Sequence, residues 1–181
     1  MIIAYHAVFT TYGTWLPNDP RGSYSEGIYN NQLRILGRIK YGRQSPVPSK
    51  EQLMKFWATS SQRISRPVFF LDDQKRSIVA DAFSKVIQRL GIKVAACAIM
   101  NDHVHILVLS SKYRIEYIVN QLKGVATRTL KLKHTPWTRG CWKVFITDTE
   151  ALRAAIKYIQ TNPVYAGLPP QSWDFISPLF V

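Results

Sequence analysis

Two apolar runs, 92–100 (IKVAACAIM) and 103–110 (HVHILVLS), are separated only by Asn101-Asp102. A connection of two residues joins antiparallel neighbours, so the pair reads as a β-hairpin. Amphipathic segments stand on either side. Before it, Asp72 is placed to cap a helix in which Ile78, Val79, Ala82, Phe83, Val86, Ile87 and Leu90 recur at helical spacing up to Gly91. After it, residues 113–133 repeat the pattern with Ile115, Ile118, Val119, Leu122, Val125, Ala126 and Leu130. Residues 2–10 (IIAYHAVFT) and 141–147 (CWKVFIT) read as further strands. A last helix is expected over roughly 150–162. It is capped by Asp148 or Thr149 and stopped by Asn162-Pro163, because a residue before proline is pushed out of the helical region.

The resulting order is β-α-β-β-α-β with an extra C-terminal helix, an α+β, ferredoxin-like arrangement. It predicts a four-stranded antiparallel sheet with the first strand and the histidine strand adjacent and central. Both long helices cover one face. A single domain over 1–181 is expected, with an insertion at about 17–70 between strand 1 and the first long helix. A structureless loop of that length would be unusual, so the insertion is expected to be folded, with one helix over 50–64.

Within the second hairpin strand, His103 and His105 are two apart and share a face. Two imidazoles so placed can hold a divalent metal, or they can be ordinary satisfied histidines. Asp102 is expected to point away from His103. In the last helix Tyr158 and Asn162 are four apart and share a face. A phenol nucleophile and a hard oxygen ligand could serve one site there. A packed ring and a terminal cap would use the same two residues.

Charge restricts the partner. There are 24 Lys+Arg against 11 Asp+Glu, a formal net charge of +13 in 181 residues. A compact domain this basic calls for a polyanion, most often nucleic acid. Lys112, Arg114, Lys123, Arg128, Lys131 and Lys133 lie on the face of the 113–133 helix, or just beside it, opposite its apolar side. Arg21 falls in the turn-rich segment after strand 1. In the insertion, Tyr24, Tyr29 and Tyr41 alternate with basic residues, either as a stacking surface for bases or as local packing. Two cysteines, Cys97 and Cys141, make no disulfide scaffold, and a reducing cytoplasm fits. No signal peptide and no membrane span is read.

These residues resemble the HUH single-tyrosine transposases, the small insertion-sequence enzymes and above all the REP-associated tyrosine transposases. The resemblance lies in Asn101-Asp102-His103-Val104-His105-Ile106-Leu107-Val108 and in Tyr158-Ile159-Gln160-Thr161-Asn162-Pro163-Val164-Tyr165-Ala166-Gly167. The early Thr11-Tyr12-Gly13-Thr14-Trp15-Leu16-Pro17 is similar to a group within that family. Tyr165 departs from the family, which often has Arg there, and puts a second phenol beside the motif.

The resemblance implies that His103, His105 and Asn162 bind one Mg²⁺ or Mn²⁺ and that Tyr158 attacks a DNA phosphate. The expected products are a 5′-phosphotyrosine and a free 3′-OH, so that strands are nicked and joined. The expected substrate is single-stranded DNA folded as a hairpin, held by the basic residues above. A monomer or a homodimer, cytoplasmic and associated with the nucleoid, is expected. Two alternatives stand beside this reading: a hairpin-binding domain of the same fold without catalysis, and a metal hydrolase built on the H-x-H pair. The hydrolase needs a carboxylate nearby, for which only Asp148 and Glu150 are close in sequence.

Overall fold

β3 (His103–Leu109) has five consecutive buried residues, a pattern that requires cover on both faces of the sheet. The computed structural model, described here over residues 1–28 and 31–178, supplies that cover. The element order is β1 (Ala4–Thr10), α1 (Lys50–Ser61), α2 (Asp73–Leu90), β2 (Val94–Ile99), β3, α3 (Ile115–Thr129), β4 (Trp142–Ile146) and α4 (Thr149–Tyr165), with a short 3-10 helix over Asn31–Leu36. The strands form one antiparallel sheet in the order β2-β3-β1-β4. β1 and the histidine strand are therefore central and adjacent, as the ferredoxin-like order requires.

Two compact units divide the chain: Met1–Thr10 with Phe70–Val181, and Thr11–Phe69. The insertion thus begins at Thr11, earlier than the turn residues suggest.

In the first unit, register decides which residues share a face. Val8 pairs with His105 and Thr10 with His103, while Phe9 pairs with Val104. The Phe9 face carries α2 and α3: its ring lies 6.2 Å from Phe83 and 5.4 Å from Trp137. The histidine face carries α4. There Ala4, Ala96, Ala98, Met100, Leu107 and Ile146 pack with Leu152 and Ile159. Alanines on the strands let the helix approach closely. Cys97 is buried in β2 as a small apolar side chain, and burial pushes its thiol pKa up.

Helix ends follow the local sequence. Asp72 accepts from the Lys75 amide, Gly91 closes α2 at φ +61°, and Asp148 accepts from the Ala151 amide. One end differs from expectation: α4 runs through Pro163 to Tyr165. The terminus closes instead with Gly167 at φ +74°, where Leu168 N–H donates to the Pro163 carbonyl and Gly167 N–H to that of Val164. This double closure satisfies the last carbonyls and offsets the bond that proline cannot make.

The second unit is held by buried polar groups. Asn18 donates to the Leu33 and Gly37 carbonyls, and Trp15 to that of Gly22. Gly22 has φ +92°, and a Cβ there would stand 1.8 Å from the Gly42 carbonyl oxygen, so only glycine fits. Tyr24 and Tyr41 pack edge to face, with centroids 5.8 Å apart. Tyr29 lies outside the described residues.

Candidate active site

His103 and His105 lie at the start of β3 with their Nε2 atoms 3.0 Å apart. Cis ligands held about 2.1 Å from one octahedral ion stand roughly 3.0 Å from each other, so the two nitrogens fit a shared metal. Each ring is held at its other nitrogen. His103 Nδ1 is 2.6 Å from Asp102 Oδ1, and His105 Nδ1 is 2.9 Å from His6 Nε2. The first contact corrects the expectation that Asp102 points away. Asp102 belongs to the turn, where the alternation of a strand does not apply. A carboxylate at Nδ1 keeps the proton there and leaves the Nε2 lone pair for a ligand.

The site is buried on the strand side. His105 and His6 are both less than a tenth exposed. Burial pulls the His6 pKa down to about 4. Burial, followed by the neighbouring His103 and His6 rings, pulls His105 to about 3. Both are therefore neutral near pH 7, the form that binds metals.

α4 lays Tyr158 across this cluster. Its ring centroid is 5.6 Å from His105 and 6.1 Å from His6, in edge-to-face geometry, yet the residue is 54% exposed. An accessible phenol thus stands beside the paired imidazoles. Asn162 is one turn further along α4, and its side-chain nitrogen is buried without a hydrogen-bond partner. A carboxamide can turn to present oxygen in place of nitrogen, so this position suits a ligand. Tyr165 ends the helix, about 10 Å along the axis from Tyr158, and is 87% exposed. Among the described residues no three His, Cys, Asp or Glu side chains gather as a metal cluster. The side chains here that could hold a metal are two imidazoles and an amide.

The basic residues separate into three groups. Arg128, Lys131 and Lys133 are exposed at or just past the end of α3. α3 packs on the Phe9 face of the sheet, opposite the histidine face. Lys112 and Arg114 are also exposed, but they follow Leu109 at the other end of β3 from His103, about 20 Å away along the strand. Lys123 and Arg21 do not belong to an exposed face. The Lys123 ammonium is buried, donating to the Thr138 carbonyl at 2.9 Å and to that of Gly140. Arg21 is engaged inside the insertion, ion-paired to Asp19 at 2.8 Å and stacked 3.8 Å from the Trp15 ring. Neither position is therefore free for the DNA contact expected of it, since a helical period and a turn-rich segment say nothing about what the next loop covers.

The sequence model of the family described as "Transposase IS200 like" matches residues 58–162, more than half of the chain and the whole span from His103 to Asn162. The chain belongs to the IS200-like transposases. In fold it is similar to a REP-associated tyrosine transposase solved bound to a REP hairpin, with 15% identity and TM-score 0.53, over 96% of this chain and 74% of that one. A candidate transposase from Deinococcus radiodurans R1 is matched at 14% identity and TM-score 0.37, over 87% of this chain and 88% of that one. None of the curated proteins compared matches. No helix among the described residues is long and apolar enough to cross a membrane.

His6 joins the histidine cluster without any motif of its own, and Asp102 joins it against the expectation for a strand. Parity carries a signal for the first. Once β1 is placed beside β3, His6 falls on the histidine face because Val8 opposes His105. Asp102 gives no such signal, since turn geometry is not periodic.

Proposed function

We propose that this transposase nicks and joins single-stranded DNA, folded as a hairpin, through a 5′-phosphotyrosine on Tyr158. The observation that carries the reading is the exposed Tyr158 phenol beside two imidazoles whose Nε2 atoms converge. His103, His105 and Asn162 would hold one Mg²⁺ or Mn²⁺, which when bound offsets negative charge on the scissile phosphate. Tyr158 Oη forms the new bond to phosphorus and gives its proton to solvent. The bond from phosphorus to the 3′-oxygen breaks, and that oxygen takes a proton. Phosphodiester energy is retained, so another 3′-OH can reverse the step and join a strand. Arg128, Lys131 and Lys133, exposed at the end of α3, and Lys112 and Arg114, exposed in the segment before it, would hold backbone phosphates of the DNA.

Carboxylates do not support the hydrolase alternative. Asp102 is bound to His103, while Asp148, which caps α4, and Glu150, in its first turn, lie about 15 and about 12 Å along the axis from Tyr158. The test uses a 3′-labelled single strand carrying a hairpin, with Mn²⁺, on a denaturing protein gel. A labelled protein band lost with EDTA and in Tyr158→Phe, but kept in Tyr165→Phe, is the expected result. Binding without a band refutes catalysis and favours a binding domain. Free cleavage products without a band favour hydrolysis.

A further inference from the structure

His6 has no part in the reaction described above, yet it is buried at the centre of the site. It is 7% exposed, its Nε2 lies 2.9 Å from His105 Nδ1, and its ring stands 5.1 Å from His105 and 6.2 Å from Trp142. An imidazole buried beside Ala4 and Leu107 on this face is costly without a hydrogen bond. Here that bond goes to one specific atom of a candidate ligand.

We infer that His6 is a positioning residue: its Nε2 accepts the Nδ1 proton of His105 and so directs the His105 Nε2 lone pair to the metal. The inference rests on the metal reading of the site and extends it. Proton placement follows from the geometry. Both converging Nε2 atoms must be free of protons to bind one ion, so His105 carries its proton on Nδ1. Nδ1 faces His6 Nε2, which must then be an acceptor, and His6 keeps its own proton on Nδ1. The two ligands are backed differently. His103 leans on the Asp102 carboxylate, and His105 on a neutral ring. One anion in this shell, rather than two, leaves more of the ion's positive charge facing a phosphate.

The test measures Mn²⁺ binding to the whole chain by the loss of the free-ion paramagnetic resonance signal. Second-shell partners are typically worth 10–100-fold in metal affinity, and His6→Phe, which keeps a ring but no acceptor, should weaken binding by about that factor. His6→Gln, whose side-chain oxygen can reach the position of Nε2, should bind close to wild type. A long-range proton–nitrogen spectrum of the Mg²⁺-loaded wild type should show His6 protonated at Nδ1 and bare at Nε2, the acceptor state facing His105 that a purely structural His6 would not require. His6→Phe with wild-type Mn²⁺ affinity overturns the inference alone, whereas His105 protonated at Nε2 in the loaded protein overturns ligation through that atom and the inference with it. Absence of Mn²⁺ binding by the wild-type chain overturns the metal reading, and this inference with it.

Discussion

Replacing Lys123 with methionine tests whether a buried ammonium ties α3 to the chain that leads into β4. Its Nζ donates to the Thr138 and Gly140 carbonyls and lies 5.1 Å from the centroid of Phe9. Thr138 in turn donates its amide to Thr10, so the tie reaches the central strand. Methionine keeps the volume and removes both donors. Two carbonyls left unsatisfied at about 1–3 kcal/mol each, less the cost of dehydrating a charge, give a net loss of about 2 kcal/mol at pH 7. The same site predicts a pH signature. Burial pulls the Lys123 pKa down to about 8, against about 10.5 in the unfolded chain. Below about pH 8 both states hold the proton and the contribution is flat. Between about 8 and 10.5 only the unfolded chain holds it, so unfolding takes up a proton and raising the pH stabilises the fold. Each pH unit in that window is worth up to about 1.4 kcal/mol. Urea unfolding followed by tryptophan fluorescence at pH 7.0 and 9.5 reads both effects. The stability gap between wild type and Lys123→Met should widen by about 2 kcal/mol at the higher pH. Equal gaps at the two pH values would refute the buried-ammonium account, and no loss at pH 7 would refute the tie.

Two further outcomes are expected. Asp102→Asn removes the anion behind His103 and should weaken Mn²⁺ binding about 10–100-fold by calorimetric titration, with little change in melting temperature. Lys131 sits at φ 54°, the left-handed position after α3, where a side chain costs about 1–2 kcal/mol. Lys131→Gly should therefore raise stability by about 1 kcal/mol in urea, while the slope of log binding constant against log salt for hairpin DNA falls by about one.

How much of this protein was legible in its sequence differs from one feature to the next. Elements defined by periodicity were readable: the hairpin around Asn101-Asp102, the caps at Asp72, Gly91 and Asp148, and the two long helices. From their order came the sheet, because short connections and handedness leave few ways to join β-α-β-β-α-β. The pairing of His103 with His105, and of Tyr158 with Asn162, is likewise local, set by the two periods of strand and helix. What the sequence determined by itself is therefore whatever depends on neighbours along the chain. Tertiary structure alone decided what depends on neighbours across it. It brought Tyr158 of α4 over His105 of β3, and it set His6 behind His105 through the register of two central strands. It turned the Asp102 carboxylate onto His103 and let Gly167 end a helix that Pro163 would otherwise have stopped. It also withdrew Lys123 from solvent, since helical spacing gives a residue's angle about its own axis, while burial depends on the chain that crosses above it.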